Sequence, residues 1–142
     1  EIIGTIDYSP QNYLGEIYAN TNGGILGKIT ENKKEFFTDK KISIAKKSEV
    51  KTGKAYLRSS ISGKSKDYSI EIEKVFFHEK NSLKTLKIRV TDSELITLTG
   101  GIIQGLSGSP ILQNGKLVGA VTHVLIDNPQ MGYGIFAESM LE

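Results

Sequence analysis

The residues best suited to chemistry lie in one glycine-rich stretch, Gly105-Leu106-Ser107-Gly108, which runs on into Ser109-Pro110-Ile111. A hydroxyl that attacks a carbonyl must sit exposed on a tight turn. It also needs backbone N–H groups aimed at the oxygen that becomes negative. Gly105 allows the backbone to approach a substrate carbonyl closely. The N–H groups of Gly105 and Ser107 would then form an oxyanion hole around a nucleophilic Ser107. Gly108 leaves room beside the hydroxyl, and Pro110 sets the start of the next strand. An ordinary Gly/Ser turn has the same composition, so the residues C-terminal to Pro110 must separate the two readings.

Those residues form a hairpin in register. Asn114-Gly115 stands between Ile111-Leu112-Gln113 and Lys116-Leu117-Val118, a strong two-residue turn signal. Leu117 to Leu125 is more continuously apolar than the other runs and reads as a buried strand. Upstream the pattern is alternation, the mark of half-buried strands. It runs through Lys54–Ser59, through Tyr68–Val75 with Tyr68, Ile70 and Ile72 on one face, and through Leu86–Val90. Turn signals separate these runs at Asn22-Gly23-Gly24, Ser62-Gly63-Lys64, Glu79-Lys80-Asn81 and Gly100-Gly101. Helix is sparse, and Asp92 could cap one short turn at Ser93-Glu94-Leu95. Short strands at this spacing predict an all-β barrel or sandwich. The polar stretch Thr30 to Lys41 suggests a division into residues 1–35 and 36–142. About three short strands precede it, and roughly six come after it, enough to close a barrel.

Composition narrows the function. The chain has 142 residues, a formal net charge of +2, 15 glycines and 3 prolines. It lacks cysteine, which excludes disulfides, thiolate zinc sites and a cysteine nucleophile. No metal or cofactor is expected. The lysines at 33, 34, 40, 41, 46, 47, 51 and 54 cluster, but they do not alternate with aromatic stacking platforms. They read as a solvated face, and no nucleic-acid partner is expected. No apolar run reaches the length of a membrane span, so this chain should not insert in a membrane. No signal peptide is visible at Glu1; an export address would lie outside the chain.

Gly105–Pro110 resembles the Gly-Asp-Ser-Gly-Gly-Pro segment of trypsin-like proteases, which is also succeeded by a hairpin and a substrate-flanking strand. By that likeness Thr122 and His123 lie on the strand that pairs with substrate backbone. A closer resemblance is to the SpoIVB family of serine peptidases. It is specific over Thr99–Pro110, Asn114–Val124, Gly132-Tyr133-Gly134-Ile135 and Met140-Leu141, and looser over Asn20–Gly27 and Tyr68–Ile72. The resemblance implies a trypsin-like Greek-key fold, with one complete barrel and a remnant of a second. It implies a serine endopeptidase of endospore-forming bacteria, exported to the space between the mother-cell and forespore membranes. There it would cleave regulators of a membrane-embedded protease and so trigger a late sigma factor. Ser107 matches the family nucleophile, and Asp92 matches an aspartate of the family's Thr-Asp segment.

Two departures matter. The family histidine, in a Gly-His-Gly-like segment, has no counterpart here, so the chain alone should be inactive. The missing N-terminal part of the peptidase domain would then be a partner, beside the protein or peptide substrate. His78 reads as a solvated residue at a strand end, and His123 as a wall of the cleft rather than the base. Asp92 stays open between a catalytic role and a turn cap or cleft wall. Leu106 replaces the aspartate that trypsin-like zymogens pair with a new N-terminus, so that activation device is not expected. A barrel separated from its partner barrel should expose an apolar face and self-associate. The alternative reading is a non-catalytic β-barrel that binds peptides or a partner domain.

Overall fold

The computed structural model describes residues 9, 13–30, 40–78 and 82–141. The chain divides into two compact units, Glu1–Lys41 and Ile42–Glu142. The division expected at 35/36 lies outside the described residues, as do Lys33, Lys34 and the turn expected at Glu79-Lys80-Asn81.

In the first unit, β1 (Gly15–Thr21) pairs antiparallel with β2 (Gly24–Ile29). Asn22-Gly23 makes the turn. The Thr21 hydroxyl donates to the Gly24 carbonyl and accepts from the Gly23 N–H. Two strands by themselves bury little. Ile17 and Ile25 are each 63% exposed and Tyr18 is 73% exposed.

In the second unit, β3 (Gly53–Ser59), β4 (Lys66–Val75), β5 (Leu86–Val90), β6 (Pro110–Gln113), β7 (Lys116–Leu125) and β8 (Asn128–Phe136) close a barrel. Going round the barrel, the order is β3-β4-β5-β8-β7-β6. Closure rests on the pairs Tyr56↔Leu112 and Leu57↔Ile111 between β3 and β6. The alternating runs point inward as expected: Ala55 and Leu57 of β3, Tyr68, Ile70 and Ile72 of β4, and Leu86, Ile88 and Val90 of β5 are all buried. Each fully buried aliphatic side chain contributes roughly 1.5–3 kcal/mol. Asn114 (φ 52) and Gly115 (φ 73) form the left-handed two-residue turn from β6 to β7.

The last strand, β8, carries no alternating apolar pattern because two of its inner positions are glycines. A Cβ on Gly134 would lie 2.8 Å from both the Ala120 carbonyl oxygen and Ile111 Cδ1. Polar groups inside the barrel are matched. Gln113 Nε2 donates to the carbonyls of Lys51 and Lys54, and Oε1 accepts from the Lys51 N–H. The Thr85 hydroxyl accepts from the Phe136 N–H and lies 3.4 Å from the Gly134 carbonyl.

Candidate active site

Strand order creates the site. Because β5 pairs with β8 and not with β6, the chain between Val90 and Pro110 must cross the end of the barrel. That crossover carries Asp92, a short helix α1 (Ser93–Thr99) and the glycine-rich turn.

Asp92 fastens the start of the crossover. Its Oδ1 accepts from the N–H groups of Glu94 (3.0 Å) and Leu95 (3.1 Å), which caps α1. Its Oδ2 accepts from the Ser69 N–H of β4 at 3.1 Å. Burial opposes the charge. The three N–H groups, helped by the Lys66 ammonium, outweigh it and hold the carboxyl below the usual carboxylate range. Leu95 anchors α1 in the core, and the helix stops at Gly100, whose φ of 76 suits the left-handed cap position. Gly101 then lies against β8: a Cβ there would collide with the Pro129 backbone, and the Ile102 N–H donates to the Pro129 carbonyl at 2.7 Å.

Beyond Ile102 the chain makes two consecutive four-residue turns. The Leu106 N–H donates to the Ile103 carbonyl at 3.1 Å, and the Ser109 N–H donates to the Leu106 carbonyl at 3.0 Å. Gly105 (φ 101) and Gly108 (φ 85) hold the third position of each, the place a type II turn gives to glycine. Neither would meet an atom with an added Cβ, so the requirement is conformational rather than steric. Leu106, between them, is buried in the core. It pins the double turn at the position where trypsin-like zymogens carry an aspartate.

Ser107 is thereby raised into solvent. Its hydroxyl donates to the Thr122 carbonyl at 3.3 Å. The Gly108 N–H donates to the Val121 carbonyl (2.8 Å), and the Val121 N–H donates to the Ser109 carbonyl (3.0 Å). Among the described residues, the N–H groups of Gly105 and Ser107 donate to no acceptor. Both belong to the double turn that carries the exposed hydroxyl.

β7 is bulged here. Its register with β8 shifts between Val121↔Gly134 and His123↔Tyr133, leaving Thr122 as the extra residue. The Thr122 side chain turns to donate to the Leu83 carbonyl at 2.6 Å, while its backbone carbonyl faces Ser107. His123 is exposed on β7, and His78 is exposed in the turn after β4. Among the described residues, neither imidazole hydrogen-bonds to Ser107. The structure therefore gathers Ser107, Gly105 and the Thr122–His123 backbone, and sets Asp92 at the start of α1.

Sequence reasoning did not find the contact of Gly101 and Ile102 with β8, whose faint trace was the doubled glycine at 100–101. A separate cleft of about 410 Å³ lies at the far end of β6 and β7, beside Ser48, Asn114 and the Glu49–Lys116 ion pair. Among the described residues, no His/Asp/Glu group is placed to hold a metal, and no helix is long and apolar enough to cross a membrane.

Comparison with known proteins identifies the family and the fold. The family model for the SpoIVB peptidase S55 matches residues 1–141. No curated protein sequence matches the chain. Among solved structures, the chain is similar to the Rv3671c protease from M. tuberculosis in its active form, with a TM-score of 0.60 and 17% identity over 89% of this chain. The inactive form of the Rv3671c protease matches with a TM-score of 0.60 and 16% identity, again over 89% of this chain. The chain spans 55% and 63% of those two solved chains. At this identity the likeness concerns the fold, which is the trypsin-like barrel expected from the sequence.

Proposed function

Because the chain belongs to the SpoIVB peptidase family, we propose that it carries the nucleophile of a serine endopeptidase site, with Ser107 as the attacking group. The observation that carries this reading is the exposed Ser107 hydroxyl on a double glycine turn whose Gly105 and Ser107 N–H groups have no acceptor among the described residues.

In the proposed reaction Ser107 Oγ bonds to the scissile carbonyl carbon, and the carbonyl oxygen takes the negative charge. The N–H groups of Gly105 and Ser107 hold that oxygen; each such donor contributes roughly 2.7–4 kcal/mol to the transition state. The hydroxyl proton passes to a base and then to the leaving amine as the peptide C–N bond breaks. Water hydrolyses the resulting ester and restores the hydroxyl. The bulged backbone of Thr122 and His123 aligns the substrate chain beside Ser107. A serine without a base is a poor nucleophile at neutral pH. The base in this proposal is a histidine outside residues 1–142, so that this chain alone is inactive. Asp92 acts as a positioning residue, through α1, rather than by touching substrate. Its engagement with three backbone N–H groups supports that role.

Family membership further suggests a biological setting: an exported protease between the mother-cell and forespore membranes, acting on protein regulators of a membrane-embedded protease during sporulation. The absence of any base bonded to Ser107 among the described residues favours one second reading, a barrel that binds peptides without cleaving them.

A fluorophosphonate probe separates the two readings, since it labels only an activated serine. Labelling of Ser107 is expected in the full-length protein and not in residues 1–142 alone. Failure of the full-length protein to label would favour the binding module. Labelling of the isolated chain would transfer the base role to one of its own histidines.

A further inference from the structure

Two pieces of chain adjoin Ser107: the segment 101–104, which runs directly into the double turn, and β7 from Thr122 onward, whose carbonyl receives the Ser107 hydroxyl. Both are tied in place. The Ile102 N–H is held by the Pro129 carbonyl at 2.7 Å, and the Leu106 N–H by the Ile103 carbonyl at 3.1 Å. The β7 side is held by the Gly108 N–H on the Val121 carbonyl (2.8 Å) and by the Val121 N–H on the Ser109 carbonyl (3.0 Å).

The Ile102 side chain reaches from the first piece to the second, against Gly132 and the His123 backbone. Ile102 is 2% exposed. Its Cδ1 lies 2.6 Å from where a Cβ on Gly132 would stand, and the His123 carbonyl oxygen lies 2.7 Å from the same point. Gly132 of β8 therefore does not open a slot; its missing side chain makes the room that Ile102 occupies. Ile103 and Val124 are partly buried and pack against the same core. Charge is absent as well. Residues 100–106, 120–125 and 131–135 contain no aspartate, glutamate, lysine or arginine. A charged side chain entering here would be buried without a counterion, at high cost.

We infer that Ile102, seated over Gly132, is the specificity-determining residue of this site, and that the protein accepts small uncharged side chains (Gly, Ala or Ser) on the acyl side of the cleaved bond. This inference rests on the peptidase reading above and names the substrate class of that same site. A bulky side chain would have to displace a buried isoleucine from a packed core, and a lysine or glutamate would find no partner. Discrimination of one methylene in a filled pocket reaches roughly 10–200-fold, and a large aromatic or a charge exceeds the single-methylene case.

The test uses the full-length protein and a peptide series differing only in the residue before the cleaved bond: Ala, Ser, Leu, Phe, Lys and Glu. Fluorophosphonate labelling of Ser107 is recorded in parallel. The expected result is kcat/KM for Ala or Ser exceeding that for Phe, Lys and Glu by at least about 100-fold. Ile102→Ala should narrow the Ala-to-Leu ratio by about tenfold or more by opening the filled space. Comparable or faster cleavage after Phe, Lys or Glu by the labelled wild-type protein would overturn the inference and leave the peptidase reading standing. Absence of both labelling and cleavage would remove the peptidase reading, and this inference with it. The wild-type series decides the matter even if Ile102→Ala does not fold.

Discussion

Ser107 and Thr122, brought together from opposite sides of the β6–β7 hairpin, meet through a single contact: the Ser107 hydroxyl donates to the Thr122 main-chain carbonyl at 3.3 Å. That distance is long for an O–H···O bond. The hydroxyl is parked on the bulge of β7 rather than locked there, and turning it toward a substrate carbonyl costs little.

Ser107→Ala should therefore separate function from folding. The side chain is exposed and makes one weak bond, so the unfolding free energy should change by no more than about 0.5 kcal/mol. Cleavage by the full-length protein should fall by about a millionfold, as removal of a serine nucleophile does. Urea unfolding and progress curves on the same preparation check both halves.

Gly105→Ala tests the turn. With φ at 101 and no atom near an added Cβ, the substitution is strained by about 1–2 kcal/mol through backbone conformation alone. Any relaxation swings the N–H proposed to hold the oxyanion. Labelling of Ser107 should slow by about 100-fold or more, the effect of losing one such donor. Gly63→Ala is the control. It has φ 87 and similar open space, between β3 and β4, so it should lower stability comparably and leave labelling unchanged.

Asp92 supplies a pH signature. Its folded pKa is depressed, so its contribution is fully present above the unfolded carboxylate value. It is lost as pH falls through the lower folded value. Asp92→Ala should cost about 1–2 kcal/mol near neutrality by removing the cap and stranding the Ser69 N–H. The gap between wild type and variant should close as pH is lowered through the ordinary carboxylate value, near about 4, and on below it. Asp92→Asn keeps a cap oxygen but presents only one acceptor. It should lose less stability, and full-length protein carrying it should still label at Ser107 if Asp92 acts through α1. Complete loss of labelling in a well-folded Asp92→Asn protein would instead put the carboxylate in the chemistry.

Gln113→Leu should be among the more damaging single changes. The amide satisfies two carbonyls and one N–H at the ends of the 51–54 segment, all in a part-buried setting. Each group left unsatisfied costs roughly 1–3 kcal/mol. A fall in the urea midpoint with the m-value retained would confirm a local loss rather than a loosened native state.

The small sheet predicts solution behaviour. Ile17, Tyr18 and Ile25 are exposed on a two-stranded unit. The isolated chain should self-associate in sedimentation velocity, and replacing Ile17 and Tyr18 with Thr and Lys should move the distribution toward monomer. A monomeric wild type across micromolar concentrations would contradict this.

Much of the barrel was legible because its strands alternate. Tyr68, Ile70 and Ile72 lie inward as the spacing demanded, Leu86–Val90 is a strand with the expected limits, and Asn114-Gly115 makes the expected turn. The Asp92 cap was also readable, because the same residue type at a helix start satisfies backbone N–H groups. What escaped was β8 and its meeting with Gly101 and Ile102. There the inner positions are glycines, so no apolar period exists to read. Their meaning lies in which backbone they touch, and only the fold supplies that. The bulge at Thr122 was hidden for a similar reason: it moves one residue out of register, and a sequence pattern of period two cannot announce it.

The β3–β6 junction holds with two residue pairs, while every other junction in the cylinder is longer. Thermal breathing should begin there, and amide protons of β6 should exchange with solvent sooner than those of β4 or β5. Since β6 starts three residues after Ser107, the reactive turn sits beside the first door to open. A protein that clasps this junction shut would quiet the nucleophile's surroundings without ever touching the cleft.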